Sequence, residues 1–174
     1  MKYFVKIFVI FTYLFFTNIS YSATELAYIN MEKIMNQSIA GKSITKALGD
    51  LHIKNIEEFK KIENELKLKE NEIVSQKNIL QEEEYKKKIN LLKEQVVEYR
   101  KERRAKIELL NKKKIEATSE LLKNIRPILA EYATQNSISI IIQKKNIIVG
   151  KKELEITDDI LNSVNKKVKK IKLN

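Results

Sequence analysis

The sequence contains no cysteine, one histidine, one proline and three glycines among its 174 residues. Without cysteine, the protein can form neither a disulfide nor a thiol-based active site. The single histidine, His52, falls within a helical pattern, where a lone histidine is far more often a packed or surface side chain than a metal ligand. We therefore expect no metal and no other cofactor.

Nucleotide-binding and catalytic motifs are also missing. The segment NQSIAGKS at residues 36–43 follows a predicted strand, precedes a predicted helix and ends like a phosphate-binding P-loop. Asn36 replaces the first glycine of that loop, however, and the apolar run SIIIQ ends in Gln143 rather than in a magnesium-binding aspartate. No carboxylate pair and no nucleophile with an adjacent base stands out, so the sequence does not indicate an enzyme.

Long apolar runs are absent except near the start of the chain. Residues 7–16 are almost entirely apolar, two lysines precede them, and the polar segment TNISYSA follows. This layout is typical of a secretory signal peptide, which we predict at residues 1–22 with cleavage after Ser22 or Ala23. The apolar core has about ten residues, against the ~20 that span a membrane, so an uncleaved anchor is the weaker alternative.

Positive charge is abundant and unevenly distributed. From Thr24 onward the chain has 32 basic and 23 acidic side chains, a formal charge of +9. Residues 42–85 hold eight basic and ten acidic side chains, whereas residues 86–114 hold twelve and four. Because richness in Lys, Ile and Asn can reflect genome-wide composition, the distribution of the charge is more informative than its total.

Two long helical patterns occupy the middle of the chain. Apolar residues recur every three or four positions from Lys42 to about Lys77, and a second series from Tyr85 to Tyr132 follows one heptad frame, typical of a coiled-coil seam. Between them, a polar break is followed by three glutamates suited to a helix N-terminus. We predict an antiparallel helical hairpin, the arm, over residues 43–126, with its tip near 78–81 and a length of about 50 Å or more.

Short β-branched runs flank the arm. They predict strands at Leu26–Ile29, Ile138–Ile142 and Ile147–Val149, followed by a closing helix with Thr157 as its N-cap. Pro127 is expected to end or kink the returning helix.

Residues 23–42 and 127–174 form the predicted body, a β-containing oligomerisation unit. Three short strands per chain cannot build a stable sheet with a two-sided core, so we expect a sheet shared between subunits. The fold class is thus mainly α with a small β body. The strand side chains expected in the shared sheet are Leu26, Ile29, Ile138, Ile140, Ile142 and Ile148.

The most basic stretch of the arm is EYRKERRAKIELLNKKK at residues 98–114, with eight basic and three acidic side chains. A lysine-rich helical face is most often only a solvated surface. The alternative is a surface that attracts an acidic partner or an anionic membrane. The side chains predicted for that role are Arg100, Lys101, Arg103, Arg104, Lys112, Lys113 and Lys114. Arg103 also lies on the heptad frame, so we expect it to pair with an acid of the other helix.

The order of these features resembles a known family. The signal peptide, LAYINMEKI (residues 26–34), AGKSITKAL (40–48), the basic hairpin, ISIIIQ (138–143) and ITDDILNSVNKK (156–167) together resemble the Skp (OmpH) family of periplasmic chaperones for outer-membrane proteins. The most specific segment is ITDDILNSVNK. The resemblance covers essentially the whole chain after the signal peptide.

The resemblance implies a periplasmic homotrimer whose short strands share one barrel. Three arms would then surround a cavity in which unfolded outer-membrane proteins are held without ATP. Lipopolysaccharide is a further partner that the resemblance implies, but no residue of this sequence can be matched to that site.

Two other functions stay open. A basic helical stripe could neutralise phosphates, as in a nucleic-acid-binding coiled coil, but the chain has no docking motif and its signal peptide indicates another compartment. The second alternative is a coiled-coil spacer or adaptor of the cell envelope that binds one folded partner. A chaperone should suppress the aggregation of several unrelated barrel proteins, whereas a spacer should suppress none.

Overall fold

The computed structural model describes residues 25–172, which form a long helical hairpin on a small mixed body. Strand β1 (Glu25–Ile29) leads into helix α1 (Met31–Gln37), and helices α2 (Ile39–Ser75) and α3 (Glu82–Gln135) form the hairpin. Strand β2 (Ile138–Gln143), 3-10 turns at Lys144–Asn146 and Lys152–Leu154, and helix α4 (Thr157–Lys167) complete it. The prediction of a mainly α fold with a helical hairpin and a small β component is confirmed. The predicted signal peptide lies outside the described residues.

The two hairpin helices differ in length. The 37 residues of α2 extend about 55 Å and the 54 residues of α3 about 80 Å. The turn between them spans residues 76–81, which includes the predicted tip at 78–81. Three glutamates occupy the first turn of α3, where the positive end of the helix dipole favours them. The extra length of α3 carries its C-terminal part into the body.

The two strands pair in parallel, with Leu26 opposite Ile140 and Tyr28 opposite Ile142. Parallel pairing requires a long crossover, and here the whole hairpin supplies it. Ser137 adopts a left-handed φ of 55°, and this residue turns the chain from α3 into β2.

The core lies where the root of the hairpin meets the sheet and α4. Full burial of one such aliphatic side chain contributes about 1.5–3 kcal/mol relative to exposure. Part of this core belongs to helix positions that were assigned to the arm, so packing crosses the predicted boundaries at 42/43 and 126/127. The buried hydrophobic residues are Ala27, Ile29, Ile34, Ala40, Ile44, Ala117, Leu121, Ile125, Ile128, Ile156, Ile160, Val164, Val168 and Ile171.

Pro127 does not end α3, which continues to Gln135. Proline in a helix interior removes one backbone hydrogen bond and costs about 3 kcal/mol. Leu121, Ile125 and Ile128 lie on both sides of it and are fully or almost fully buried. Their burial offsets the cost of the proline, so α3 continues across it.

The predicted third strand, Ile147–Val149, does not form within the described single chain. This segment is a bend in which Ile148 is 100% exposed and Val149 89% exposed, so Ile148 is not a strand residue here. A β-branched run forms a strand only when a neighbour supplies hydrogen bonds, and residues 25–172 offer this segment none. The outer side of β1 is instead contacted near Glu155, where the Ile156 amide donates to the Tyr28 carbonyl at 3.0 Å.

Gly41, the glycine of the GKS sequence, has a packing role. A side-chain carbon at this position would lie 1.8 Å from the Met35 carbonyl oxygen, so only glycine allows α1 and α2 to approach this closely. Ser38 caps α2 by accepting a hydrogen bond from the Gly41 amide at 3.1 Å. The segment therefore starts a helix and does not form a phosphate-binding loop.

Thr157 is the first residue of α4 and not its N-cap, a position that Ile156 occupies. The Thr157 side chain is buried, and its hydroxyl oxygen accepts a hydrogen bond from the Asn30 amide at 2.9 Å. The threonine therefore ties the end of β1 to the closing helix, which is a long-range contact that a capping pattern in the sequence cannot reveal.

Candidate functional site

Exposed apolar side chains are spread along both helices of the arm. Nine of them are between 46% and 69% exposed: Ile53, Ile56, Leu68 and Val74 on α2, and Leu91, Val97, Ile107, Leu109 and Ile115 on α3. Ile56 belongs to the apolar series that predicted α2, whereas the other eight lie outside the series that predicted the two helices, and that position was the signal for their exposure. We call these nine residues the exposed apolar set.

The exposed apolar set does not form one stripe. At 3.6 residues per turn, Leu91 and Leu109 lie on one side of α3, and Val97 and Ile115 lie on another, about 120° away. One folded partner helix would require a continuous stripe. The arrangement instead suits many small contacts in several directions.

The seam between α2 and α3 is thinly packed. Between Ile44 and Ile73, the only buried residues of α2 are Asn55 and Phe59. No residue of α3 from 82 to 116 is buried, and seam residues such as Leu92 and Val96 are half-buried. The arm therefore keeps much of its apolar surface accessible.

The seven basic residues predicted from the sequence do not form one cluster. Arg100, Lys101 and Arg104 border an open groove of α3 together with Val97 and Ala105, so positive charge and apolar surface occur side by side. Lys101 and Lys112 lie 3.8 and 3.9 Å from Glu98 and Glu116 of the same helix. Lys114 is exposed, and Lys113 is half-buried nearer the root.

Arg103 lies between the two helices, where its expected acidic partner is Glu63. Arg103 Nη1 is 3.2 Å from Glu63 Oε1, and the guanidinium carbon is 5.6 Å from the centroid of the Phe59 ring. The Tyr99 hydroxyl donates to the same Glu63 carboxylate, and its ring meets Phe59 edge-on, with centroids 6.2 Å apart and planes at 75°.

Lys106 completes this group of side chains. Its Nζ lies 2.5 Å from Glu58 Oε2 and 5.8 Å from the Phe59 centroid. We call Glu58, Phe59, Glu63, Tyr99, Arg103 and Lys106 the Phe59 cluster. The hydrogen bond from Lys106 lowers the pKa of Glu58, and that same bond raises the pKa of Lys106. Burial, followed by the hydrogen bond to Glu63, raises the pKa of Tyr99, so the phenol stays a donor at neutral pH.

A second apolar surface lies on the body. The two-stranded sheet leaves the outer side of β2 without a strand partner among residues 25–172, and Leu26 and Ile140 of its strands are 43% and 51% exposed. Of the other predicted strand residues, Ile138 and Ile142 are half-buried and Ile29 is buried in the core of its own chain. The body thus presents exposed apolar side chains, among them Ile148 and Val149, and the outer edge of β2 presents open backbone groups.

The C-terminal segment forms a basic cleft with the root of α3. Val168 and Ile171 are buried in the core, while Lys169, Lys170 and Lys172 line a cavity of about 860 Å³ together with residues of α3. The sequence suggested that the closing helix continues through Lys169 and Lys170, whereas it ends at Lys167. The alternation of two apolar residues with lysines was the signal for a docked, extended segment.

No helix within residues 25–172 is both long enough and apolar enough to cross a membrane. The same part of the chain holds no cluster of three or more His, Asp or Glu side chains suited to a metal ion.

Comparison with protein families gives a match over most of the chain. The family model for "Outer membrane protein (OmpH-like)" matches residues 25–164. The chain belongs to the OmpH-like family. The match includes both strands, the entire arm and most of α4, and it confirms the resemblance to the Skp (OmpH) family.

The OmpH-like chain also shares its fold with a protein of known structure. That protein is a candidate outer-membrane chaperone (OmpH-like) from Caulobacter crescentus CB15, with a TM-score of 0.82 over 87% of this chain and 90% of the other. The two are 10% identical, so the likeness establishes the fold alone. A search of curated proteins gives no match.

Proposed function

We propose that this OmpH-like protein is an ATP-independent holdase chaperone that binds unfolded outer-membrane proteins in the periplasm and prevents their aggregation in transit. The observation that carries the proposal is the exposed apolar set, which covers several sides of a long and thinly packed arm. Family membership supports it. The protein that shares the fold is itself described as a candidate outer-membrane chaperone.

Such a surface matches the chemistry of an unfolded barrel protein. A nascent transmembrane strand exposes alternating apolar side chains, and each ~100 Å² removed from water contributes about 2.5 kcal/mol. Several shallow contacts would exceed thermal energy together, while each one alone stays weak enough to exchange. Holding of this kind requires no bound nucleotide and no catalytic group, so we infer that the protein is not an enzyme.

We infer further that the protein acts as a homotrimer. The outer edge of β2 has open backbone groups, and Ile147–Val149 is a β-branched segment that lacks a partner within the described chain. A neighbouring copy that pairs its own segment with this edge would satisfy both and would cover Ile140, Ile148 and Val149. Three arms would then surround a common cavity.

We propose that the basic side of α3 attracts acidic clients and anionic surfaces through long-range electrostatics. The proposed residues are those predicted from the sequence, of which Arg100, Lys101 and Arg104 lie beside the apolar Val97. They would speed the capture of acidic clients and draw the arm to anionic lipid or lipopolysaccharide, with an effect that salt screens over about 10 Å. The proposed periplasmic location rests on the signal peptide predicted at residues 1–22.

The alternatives fit these observations less well. A spacer that binds one folded partner would present its apolar residues as one stripe, whereas the exposed apolar set faces several directions. A nucleic-acid-binding stripe would need a continuous row of available cations, whereas Arg103 and Lys106 are paired with Glu63 and Glu58 across the hairpin, which interrupts the basic run.

Aggregation of a barrel protein tests the proposal. A urea-unfolded outer-membrane barrel protein is diluted into buffer with and without the signal-free chain, and light scattering is followed. We expect suppression for several unrelated barrel proteins. The variant Leu91→Ser, Val97→Ser, Leu109→Ser should lose most of it.

The matched control is Asn90→Ser, Asn111→Ser, Thr118→Ser, which changes exposed polar residues of the same helix. Circular dichroism checks that all proteins keep their helix content. No suppression by the native chain would contradict the holdase function, and equal suppression by both variants would contradict the assignment to the exposed apolar set.

A further inference from the structure

The Phe59 cluster lies in the free part of the arm, where the buried Phe59 of α2 packs against the half-buried Tyr99 and Lys106 of α3. Phe59 lies 15 residues beyond Ile44, a core residue, and 16 residues before Ser75, the last residue of α2. These intervals correspond to about 22 and 24 Å of helix. The cluster therefore stands midway between the root and the tip.

Polar contacts are sparser on the tip side of the cluster, where Ile73 is the other buried side chain of α2. Toward the tip, the described ties between the helices are hydrogen bonds from Lys69 to Gln95 at 3.0 Å and from Lys88 to Gln76 at 2.6 Å. In the cluster, by contrast, two carboxylates of α2 receive three donors from α3, and two cations and one aromatic edge meet the same phenyl ring. Ion pairs and ring contacts of this density are cooperative because each holds the partners of the others in place.

The neighbouring Asn55 adds a feature typical of register control. It lies one helical turn before Phe59 and is 8% exposed in the seam. A polar residue in an otherwise apolar seam favours one alignment of the helices over its heptad-shifted alternatives. The rest of the arm consists largely of Lys, Glu and exposed aliphatic residues, which select alignment poorly.

We propose that the Phe59 cluster is a clasp that fixes the register of α2 against α3 and divides the arm into two segments that open independently. The distal segment, residues 60–98, would separate and close without disturbing the root, residues 107–128. Release of the clasp would join the two segments into one unit of opening. If the arm holds clients as proposed above, the clasp determines how much of the length of the arm can open when a client binds.

Hydrogen exchange measured by mass spectrometry on the signal-free protein, without any client, tests the clasp. Phe59→Ala should accelerate exchange severalfold in residues 60–98 and carry the increase past the cluster toward residue 112. Leu66→Ala, which truncates a half-buried seam residue two turns further along, should accelerate exchange only in its own turn. A second variant, Glu58→Gln with Glu63→Gln, keeps the apolar ring and removes the ion pairs.

The double glutamine variant should reproduce the pattern of Phe59→Ala to a smaller extent, and 1 M salt should move the native protein in the same direction because it screens these pairs. The clasp is overturned if Phe59→Ala and Leu66→Ala accelerate exchange over the same residues, or if neither Phe59→Ala nor the double variant changes exchange beyond residue 60. Because no client is present, these outcomes are independent of the test of holdase function.

Discussion

The body and the arm are built from similar aliphatic residues but use them in opposite ways. At the body end of the molecule, Ile34, Ile125, Ile160 and Val164 are completely buried and come from three different helices, α1, α3 and α4. In the arm, Asn55 and Phe59 are the only buried residues of α2 between Ile44 and Ile73, and nine large apolar side chains are about half exposed or more. The same composition thus produces a packed core in one region and an accessible surface in the other.

The difference shows where each region obtains its stability. Long-range ties hold the body, including the Asn30–Thr157 hydrogen bond and the ion pair between Lys33 and Asp158. The arm depends on its continuous backbone hydrogen bonds and on a narrow seam, so its local opening should cost less free energy than unfolding of the body. An arm that does not need its apolar residues for folding can offer them to other molecules.

The largest expected effect concerns whether the body of one chain is stable without other copies of the chain. Ile140→Asp places a carboxylate on the exposed edge of β2, where an inter-subunit sheet would bury it at a cost of several kcal/mol. We expect sedimentation to show a trimer for the native protein and a monomer for the variant, with helix content retained. Ser139→Asp, whose side chain points to the opposite face of the strand, is the control and should stay assembled. A native protein that sediments as a folded monomer would contradict the shared sheet.

Truncating one side chain of the core and one of the arm compares how much packing contributes to stability in the two regions. Ile125→Ala removes a fully buried side chain and should lower the free energy of unfolding by about 2–5 kcal/mol. Leu92→Ala removes a half-buried seam residue and should cost about 1 kcal/mol or less, because solvent already reaches the site. Urea titrations at one fixed protein concentration measure both. Similar losses would mean that the arm is packed as tightly as the body.

The sequence predicted the features that depend on local pattern. Heptad spacing located the hairpin, and polar residues followed by Glu82, Glu83 and Glu84 located its turn. The β-branched run at 138–142 predicted a strand that forms because β1 lies beside it. The partner of Arg103 was expected only as an acid on α2, since choosing Glu63 requires the register of the two helices.

Where the single chain departs from these predictions, contacts distant in sequence are the reason. Ile147–Val149 has the composition of a strand but no neighbour in the described chain to pair with it. Pro127 carries the usual signal for a helix break, yet the buried residues around it keep α3 intact. The Phe59 cluster was missed because its cations and acids are far apart in sequence and resemble the charged background of any coiled coil.

Neutralising the basic run alters the surface of the arm and should leave the body intact. Its main effect should be on the rate of client capture. The variant replaces six residues by Gln and keeps Arg103 because of its contacts to Glu63 and Phe59: Arg100, Lys101, Arg104, Lys112, Lys113 and Lys114. Capture of an acidic barrel protein should slow at low salt and lose most of its salt dependence, since steering acts chiefly on association. Stopped-flow fluorescence at low and high salt measures this.

The control for this variant removes the same amount of charge from α2 and the turn that follows it, through Gln at six exposed lysines: Lys42, Lys54, Lys60, Lys61, Lys67 and Lys77. A smaller effect in the control would assign the attraction to the basic run of α3. Unchanged rates and an unchanged salt slope in the α3 variant would mean that the run is only a solvated face. Arg103→Gln, tested separately, should reduce the protection of the arm from hydrogen exchange rather than the rate of capture.

The smallest expected effect compares two lysine–glutamate pairs, one in each region. Glu155 of the body accepts from Lys144 at 2.8 Å and from the Thr157 hydroxyl at 3.0 Å, and the bond from Lys144 is the main reason that its pKa lies below the ordinary 4.5. Lys106 lowers the pKa of Glu58 in the arm in the same way.

Because both folded-state pKa values lie below the unfolded value, each pair stabilises the protein above about pH 4.5 and loses that contribution as pH falls through the folded value. Both pairs are solvent-accessible, so the effects are small. Glu155→Gln should lower the urea midpoint slightly at pH 7 and flatten its decline between pH 5 and pH 3, since Glu155 ties the 3-10 turn after β2 to α4. Glu58→Gln should leave the midpoint unchanged and accelerate hydrogen exchange around Asn55 and Phe59, because the arm opens without the body. A shift of the midpoint by Glu58→Gln as large as that by Glu155→Gln would show that the arm and the body unfold as one cooperative unit.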